Sequence, residues 1–163
     1  MANTFGATFL GVIASFLLWY GGTWWLKHQS DKKAKAHILA EIKEEITVNM
    51  ELLNVSNTSI QKMLLQGNIP VALPARLRIS VYNYATNSGE LRLLSKEIRK
   101  NLSYVAYLTE STNKFIENTE VLLALWQLKP QDQALRLAHL RLQNLCDEMN
   151  DKRNALKRIL DTL

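Results

Sequence analysis

The side chains with the most reactive chemistry do not form a known catalytic or metal-binding spacing. His37 and Glu41 stand one helical turn apart, and Glu44 and Glu45 follow a turn later. Helical carboxylate metal sites use Glu-x-x-His pairs on several helices, and the sequence contains no such pair. We interpret these residues as a solvated helix face stabilised by i,i+4 pairs, and we predict neither a metal nor a cofactor.

Nucleophilic catalysis also lacks its motifs. Cys146 precedes Asp147 and Glu148, whose charges raise the pKa of a thiol and so make it a poor nucleophile. No Gly-x-Ser-x-Gly elbow and no glycine-rich phosphate loop occurs. The Arg-x4-6-His spacing found in many helical ribonuclease domains is absent, because Arg136 and His139 are too close together. We therefore predict no catalytic residue and no enzyme.

Basic groups beside tyrosines are the remaining candidates for ligand chemistry. A solvated helix face is the simplest interpretation of them. Alternatively, four arginines form a candidate anion-binding set for a phosphate-bearing ligand: Arg76, Arg78, Arg92 and Arg99, with Tyr82, Tyr84, Tyr104 and Tyr107 nearby in sequence. No standard nucleic-acid-reading module is present, so we do not expect sequence-specific nucleic-acid recognition.

The charge distribution divides the chain into two unlike parts. All 20 Lys and Arg and all 15 Asp and Glu lie at or after Lys27, so residues 1–26 carry no side-chain charge. A helix over residues 3–26 is roughly 35 Å long, enough to cross a hydrocarbon core of about 30 Å. No basic residue precedes the apolar run, which ends in Trp24 and Trp25, unlike a cleaved signal peptide. We predict a retained transmembrane helix over residues 1–26.

The flanks of this segment predict its orientation. Lys27, Lys32 and Lys33 follow it in a basic juxtamembrane segment, residues 27–36, and no charged residue precedes it. The positive-inside rule then places the N-terminus outside and the rest of the chain in the cytoplasm, with the protein in the cytoplasmic (inner) membrane. Aromatic residues that favour the headgroup boundary cluster at the same end: Trp19, Trp24 and Trp25. The lysines are suited to binding anionic membrane lipid.

Small residues lie on one side of the predicted membrane helix. At about 100° per residue, one stripe contains Thr4, Ala7, Thr8, Gly11, Ser15 and Gly22. Ala7, Gly11 and Ser15 form a small-xxx-small series, which lets helices approach closely in lipid. Such a stripe predicts a homo-oligomer. It is compatible both with a pore lined by hydroxyl groups and with a tightly packed dimer.

Residues 37–163 show helical periodicity throughout. Apolar residues repeat every three or four positions in three long segments, among them Ile42, Ile46, Phe115, Leu142 and Leu145. A short helix is expected from Ala75 to about Asn87, and the next long helix from Glu90. Five polar residues interrupt these seams: Asn49, Ser56, Asn101, Thr112 and Thr119. Such residues either fix helix register or line a polar cavity or a subunit interface. The sequence thus predicts an all-α protein: one N-terminal transmembrane helix, then a cytoplasmic antiparallel bundle of three long helices and one short helix.

This layout resembles that of small single-span membrane effectors of bacterial anti-phage and CRISPR-associated systems. The resemblance covers the whole chain and rests on its architecture, with the Ala7, Gly11 and Ser15 stripe and the polar seam residues as the corresponding positions. It implies a homo-oligomeric protein whose bundle gates spans that form a pore or perturb the membrane. The alternative is a membrane-tethered adaptor or scaffold that recruits a cytoplasmic protein partner.

Overall fold

The computed structural model describes residues 2–70, 73, 76–128 and 132–163, with side chains described from Ile13 onward except 127, 128 and 132–134. Its elements are α1 (Ala2–Leu65), α2 (Ser80–Asn87), a 3-10 helix (Glu90–Leu93), α3 (Lys96–Leu128) and α4 (Asp132–Leu160). These residues include no strand. The all-α prediction is therefore confirmed.

The chain divides into two compact units, Met1–His37 and Ile38–Leu163. In the first unit, large apolar and aromatic side chains of α1 between Ile13 and Leu26 are exposed, with Leu18 reaching 77%. Within the described part of the chain, no helix is both long enough and apolar enough to span a membrane. The transmembrane helix over residues 1–26 therefore stays a prediction.

The second unit, which we call the bundle, is held together by one apolar core. α1, α3 and α4 all contribute to it, and its fully buried members include Ile46, Leu102 and Leu145. Burial of such side chains contributes about 1.5–3 kcal/mol each, the main favourable term in folding. Leu73 and Leu77 from the α1–α2 connection are also buried in this core.

Contacts between the helices give their directions. Asn57 of α1 bonds to Asn150 of α4, and Asn54 bonds to Arg153, so the two helices run antiparallel. α3 and α4 are antiparallel as well, because Asn101 contacts Thr162 near the end of α4 and Thr119 contacts Arg141 near its start. α1 and α3 consequently run in the same direction.

The parallel arrangement of α1 and α3 corrects the predicted antiparallel packing of successive long helices. The connection from Gln66 to Ser95 is long enough to return along the bundle before α3 begins. Gly67 starts this return with φ +71°, a left-handed conformation that suits glycine. Residues 76–79 then pass the bundle without regular secondary structure.

Two predicted helix boundaries were wrong. The short helix begins at Ser80 rather than Ala75, because backbone groups of Leu77 and Arg78 bond to side chains of other helices. The next long helix begins at Lys96 rather than Glu90. Ser95 accepts the N–H of Ile98 at 3.3 Å through its hydroxyl, as an N-cap does, and the preceding residues form the 3-10 helix.

Candidate functional site

A segment without regular secondary structure, held between two helices, is the most specific polar feature of the bundle. We call residues 76–79 the strap. Asn113 of α3 donates from its Nδ2 to the carbonyl of Leu77 at 3.0 Å and accepts the N–H of Leu77 at 2.8 Å. Asn49 of α1 does the same to Arg78, at 2.8 Å and 2.7 Å. Each asparagine therefore pairs with both backbone groups of a single strap residue.

This clamp is sequence-independent, because both asparagines bind only backbone atoms. Asn49 is 1% exposed, and its burial requires such partners. The sequence predicted Asn49 as one of the polar residues of the bundle core, and the structure shows it buried with the strap as its partner. Asn113 was not predicted, since it lies beside the seam rather than in it.

The start of α2 is fixed by a carboxylate from α1. Glu45 accepts the Ser80 hydroxyl at 2.8 Å and the Val81 N–H at 2.9 Å through the same oxygen. A negative charge at a helix N-terminus is favourable because free N–H groups point toward it. α2 has no capping side chain of its own, so this cap is supplied from another helix.

A small acidic pocket lies beside the cap. Its volume is about 210 Å³, and it is lined by Glu41, Glu44, Glu45, Val48, Arg78, Ser80 and Val81. Three carboxylates facing one guanidinium make this pocket unfavourable for an anion. Arg78, a member of the predicted anion-binding set, therefore lies in an acidic environment.

The other arginines of that set are not gathered around Arg78. Arg76 lies 3.8 Å from Glu117 in a solvent-exposed ion pair. Arg92 is on the 3-10 helix and Arg99 is in the first turn of α3, both exposed. Arg76 and Arg78 thus lie beside carboxylates, whereas Arg92 and Arg99 lie on other elements of the bundle.

Polar residues between α3 and α4 include two of the predicted seam threonines. Thr112 and Thr119 are fully buried, and each hydroxyl donates at 2.8 Å to the carbonyl four residues earlier in its own helix. Arg141 of α4 donates to the Thr119 hydroxyl at 3.3 Å. Its guanidinium also lies 4.0 Å above the Phe115 ring, a favourable cation–π contact.

Two further predicted polar residues differ in burial. Ser56 is buried at 8% exposure. Asn101 is only half-buried and donates at 3.2 Å to the hydroxyl of Thr162. Its place in the core is taken by the next residue, Leu102. The buried stripe of α3 is therefore wider than the predicted seam, because this helix packs on more than one neighbour.

A larger cavity lies between the end of α1 and the middle of α4. Its volume is about 540 Å³, and its lining includes Gln61, Leu64, His139, Gln143 and Cys146. The Nε2 of His139 is buried without a hydrogen-bond partner. Burial and the neighbouring Asp147 raise the pKa of the Cys146 thiol to about 11, which leaves it protonated and unreactive near neutral pH. The described residues contain no group of three or more potential metal ligands.

The predicted membrane-facing residues are only partly described. The side chains of Thr4, Ala7, Thr8 and Gly11 lie outside the described residues. Ser15 is exposed, as are Trp19, Trp24, Trp25, Lys27, Lys32 and Lys33. A Cβ built on Gly22 meets no atom within 4 Å, so that surface of α1 has room for a neighbour.

Comparison with known proteins adds no relative: no protein-family model, no curated protein and no solved structure matches the chain. Functional inference therefore rests on the geometry described above.

Proposed function

We propose that the chain is a membrane-anchored, homo-oligomeric effector that forms a pore or perturbs the membrane. Its bundle brings copies together and controls the apolar N-terminal segment. The observation that carries the proposal is the contrast between two parts of α1. Residues 1–26 are uncharged and expose large apolar side chains from Ile13 to Leu26, whereas α1 joins a packed core from Ile38 onward.

The exposed apolar surface supports a lipid environment for this segment. Soluble monomers rarely expose contiguous apolar patches larger than a few hundred Å². Here Phe16, Leu17, Leu18 and Tyr20, which lie within two helical turns, are each at least 60% exposed. Phe16 and Tyr20 stack on each other with ring centroids 6.3 Å apart, yet both remain accessible. Lipid acyl chains would cover these large apolar side chains.

Self-association is supported by the small-residue stripe. Gly21 and Gly22 both have open space where a side chain would be, and the series Ala7, Gly11 and Ser15 continues along the helix. Close backbone approach between helices in lipid uses such positions. In the proposed assembly, this stripe faces the shared axis.

The subunit count of the detergent-purified full chain tests the proposal, together with the conductance of vesicles that contain it. Gly11→Leu places a large side chain in the stripe and is expected to disperse the assembly and abolish conductance. Ile13→Phe is the control, because at about 100° per residue Ile13 lies on the side of the same helix opposite the stripe, and phenylalanine enlarges it there. An unchanged assembly and unchanged conductance with Gly11→Leu would contradict the proposal.

A membrane-tethered adaptor is the second candidate, and exposed apolar side chains of the bundle favour it. Val121 and Leu125 near the end of α3, and Leu137 and Leu140 near the start of α4, are each at least 49% exposed. A cytoplasmic protein partner would bury such side chains. Replacement of residues 3–26 by an unrelated membrane helix separates the two functions, since an adaptor keeps its activity and a pore loses it.

A further inference from the structure

A basic and aromatic surface lies at the end of the bundle where the chain enters it. Lys96, Arg99 and Lys100 are exposed in the first turns of α3. Tyr104 and Tyr107 continue the same face at helical spacing, with exposures of 50% and 62%. Their rings stack with centroids 6.3 Å apart. We call this set, together with Arg158, the basic–tyrosine face.

Hydrogen bonds between elements locate this face. The Tyr82 hydroxyl lies 3.3 Å from the Ser103 hydroxyl, and the next residue back, Val81, bonds to Glu45 of α1. The first turns of α3 therefore lie level with the first turns of α1 within the bundle. The bond from Asn101 to Thr162 brings the end of α4 to the same place, and with it Arg158, one turn earlier and exposed.

Positive charge predominates on this face. Arg92 and Lys157 add two exposed cations in these segments, whose acidic residues are the half-buried Glu90 and the exposed Glu97 and Asp161. Glu41, Glu44 and Glu45 of α1 lie instead in the pocket beside Arg78. A tyrosine side chain has an apolar ring and a polar hydroxyl group. Two half-exposed tyrosines beside clustered lysines and arginines therefore suit a boundary between phosphate groups and an apolar phase.

We propose that the basic–tyrosine face docks on the anionic headgroups of the membrane that holds residues 1–26. This inference rests on the proposed membrane anchor. The chain enters the bundle at Ile38, only a short segment after Leu26, so an anchored bundle stays near the lipid surface at high effective concentration. Single-stranded nucleic acid also combines phosphates with stacking groups, but no such tether holds it beside the face.

Lysine acetylation of the full chain in lipid nanodiscs tests the proposal. The discs contain either phosphatidylcholine alone or an equal mixture of phosphatidylcholine and phosphatidylglycerol, and mass spectrometry follows each lysine. We expect acetylation of Lys96 and Lys100 to slow in the anionic discs and to recover at high salt. Lys114, exposed farther along α3, is the internal control and should react at the same rate in both discs.

Charge reversal provides the second arm. Each cation near an anionic surface favours docking about fivefold, so removal of two cations alone weakens docking by about 25-fold, and their replacement by carboxylates weakens it further. The double variant Arg99→Glu and Arg158→Glu should remove the protection of Lys96 and Lys100. The double variant Lys62→Glu and Arg136→Glu, which changes the same number of exposed charges elsewhere and leaves Lys114 in place, should retain it.

The outcomes distinguish this inference from the proposed anchor. Equal acetylation of Lys96 and Lys100 in both kinds of disc would overturn the docking inference while the chain remains in the discs. Protection by an added oligonucleotide in phosphatidylcholine discs, without protection by anionic lipid, would overturn it in favour of nucleic acid. Failure of the chain to enter either disc would overturn the anchor itself.

Discussion

Replacement of Asn49 by alanine is the sharpest test of the clamp that holds the strap. The substitution removes both hydrogen bonds to Arg78, at 2.8 Å and 2.7 Å. Each bond contributes about 0.5–1.5 kcal/mol net, and a buried group left without a partner costs about 1–3 kcal/mol. A shift of the strap and entry of water in place of the amide reduce the sum of these terms. We therefore expect the free energy of unfolding to fall by about 2–4 kcal/mol. Such a loss is a large share of a total stability of about 5–15 kcal/mol.

Urea unfolding of the detergent-purified full chain, followed by far-ultraviolet circular dichroism, measures this loss. Asn118→Ala is the matched control, because Asn118 is exposed on α3 and an exposed substitution changes stability by within about 0.5 kcal/mol. Tryptic cleavage after Arg76 and Arg78 provides a local readout. In Asn49→Ala, the strap should become accessible at urea concentrations where the helices remain folded.

The double variant with Asn113→Ala tests whether the two asparagines act on one element. If both hold the strap, loss of the first loosens it, and loss of the second costs less than it does alone. The expected coupling is about 0.5–3 kcal/mol, the range for residues that share a partner. Strict additivity, or an Asn49→Ala variant that unfolds like Asn118→Ala, would refute this account of the clamp.

Three further predictions concern other parts of the bundle. Cys146 should react with iodoacetamide at least about 100-fold more slowly in the folded protein than in the unfolded chain. Folding raises the pKa of its thiol from 9.0 to about 11 and so reduces the population of the reactive thiolate. Equal reaction rates in folded and urea-unfolded protein would contradict this prediction. The same raised pKa stabilises the fold fully below about pH 9, and this contribution is lost as pH rises toward 11. Glu45→Ala should lower the free energy of unfolding, measured with urea, by about 1 kcal/mol because it removes the cap on α2. Glu44→Ala, at an exposed position, should leave the free energy of unfolding unchanged. Equal urea midpoints for the two variants would show that Glu45 does not stabilise α2. Gly67→Ala should cost about 1–2 kcal/mol because φ is +71° there, and an unchanged melting temperature would show that this turn adjusts freely.

Local periodicity was sufficient to predict the helices and much of the core. Apolar residues that repeat every three or four positions correctly predicted α1 and α4. The predicted core residues Ile42, Ile46, Leu142 and Leu145 are all buried. In α3 the predicted seam covers only one edge of the buried surface. Phe115, a residue of the seam, is half-buried, whereas its neighbour Ile116, which lies outside the seam, is fully buried. A single heptad seam describes one interface, and a helix with two neighbours buries a wider surface.

The strap could not be predicted, because it depends on contacts between distant residues. The bonds of Asn49 and Asn113 join positions 29 and 36 residues apart, and no local pattern encodes such pairs. In the sequence, Pro70 and Pro74 indicate a non-helical segment here, because each proline disfavours helical structure at the residue before it. The parallel direction of α1 and α3 follows from this non-helical return, so it was missed for the same reason.

The proposed function depends most directly on whether residues 1–26 enter a bilayer. Flotation of the full chain with phosphatidylcholine vesicles after an alkaline wash measures this. We predict that the chain floats with the vesicles. The double variant Ile13→Lys and Leu17→Lys should sediment instead, because a lysine at the centre of a membrane helix costs about 3 kcal/mol on insertion scales. Recovery of the unaltered chain in the aqueous fraction, or equal flotation of the lysine variant, would contradict the membrane anchor on which the proposed function rests.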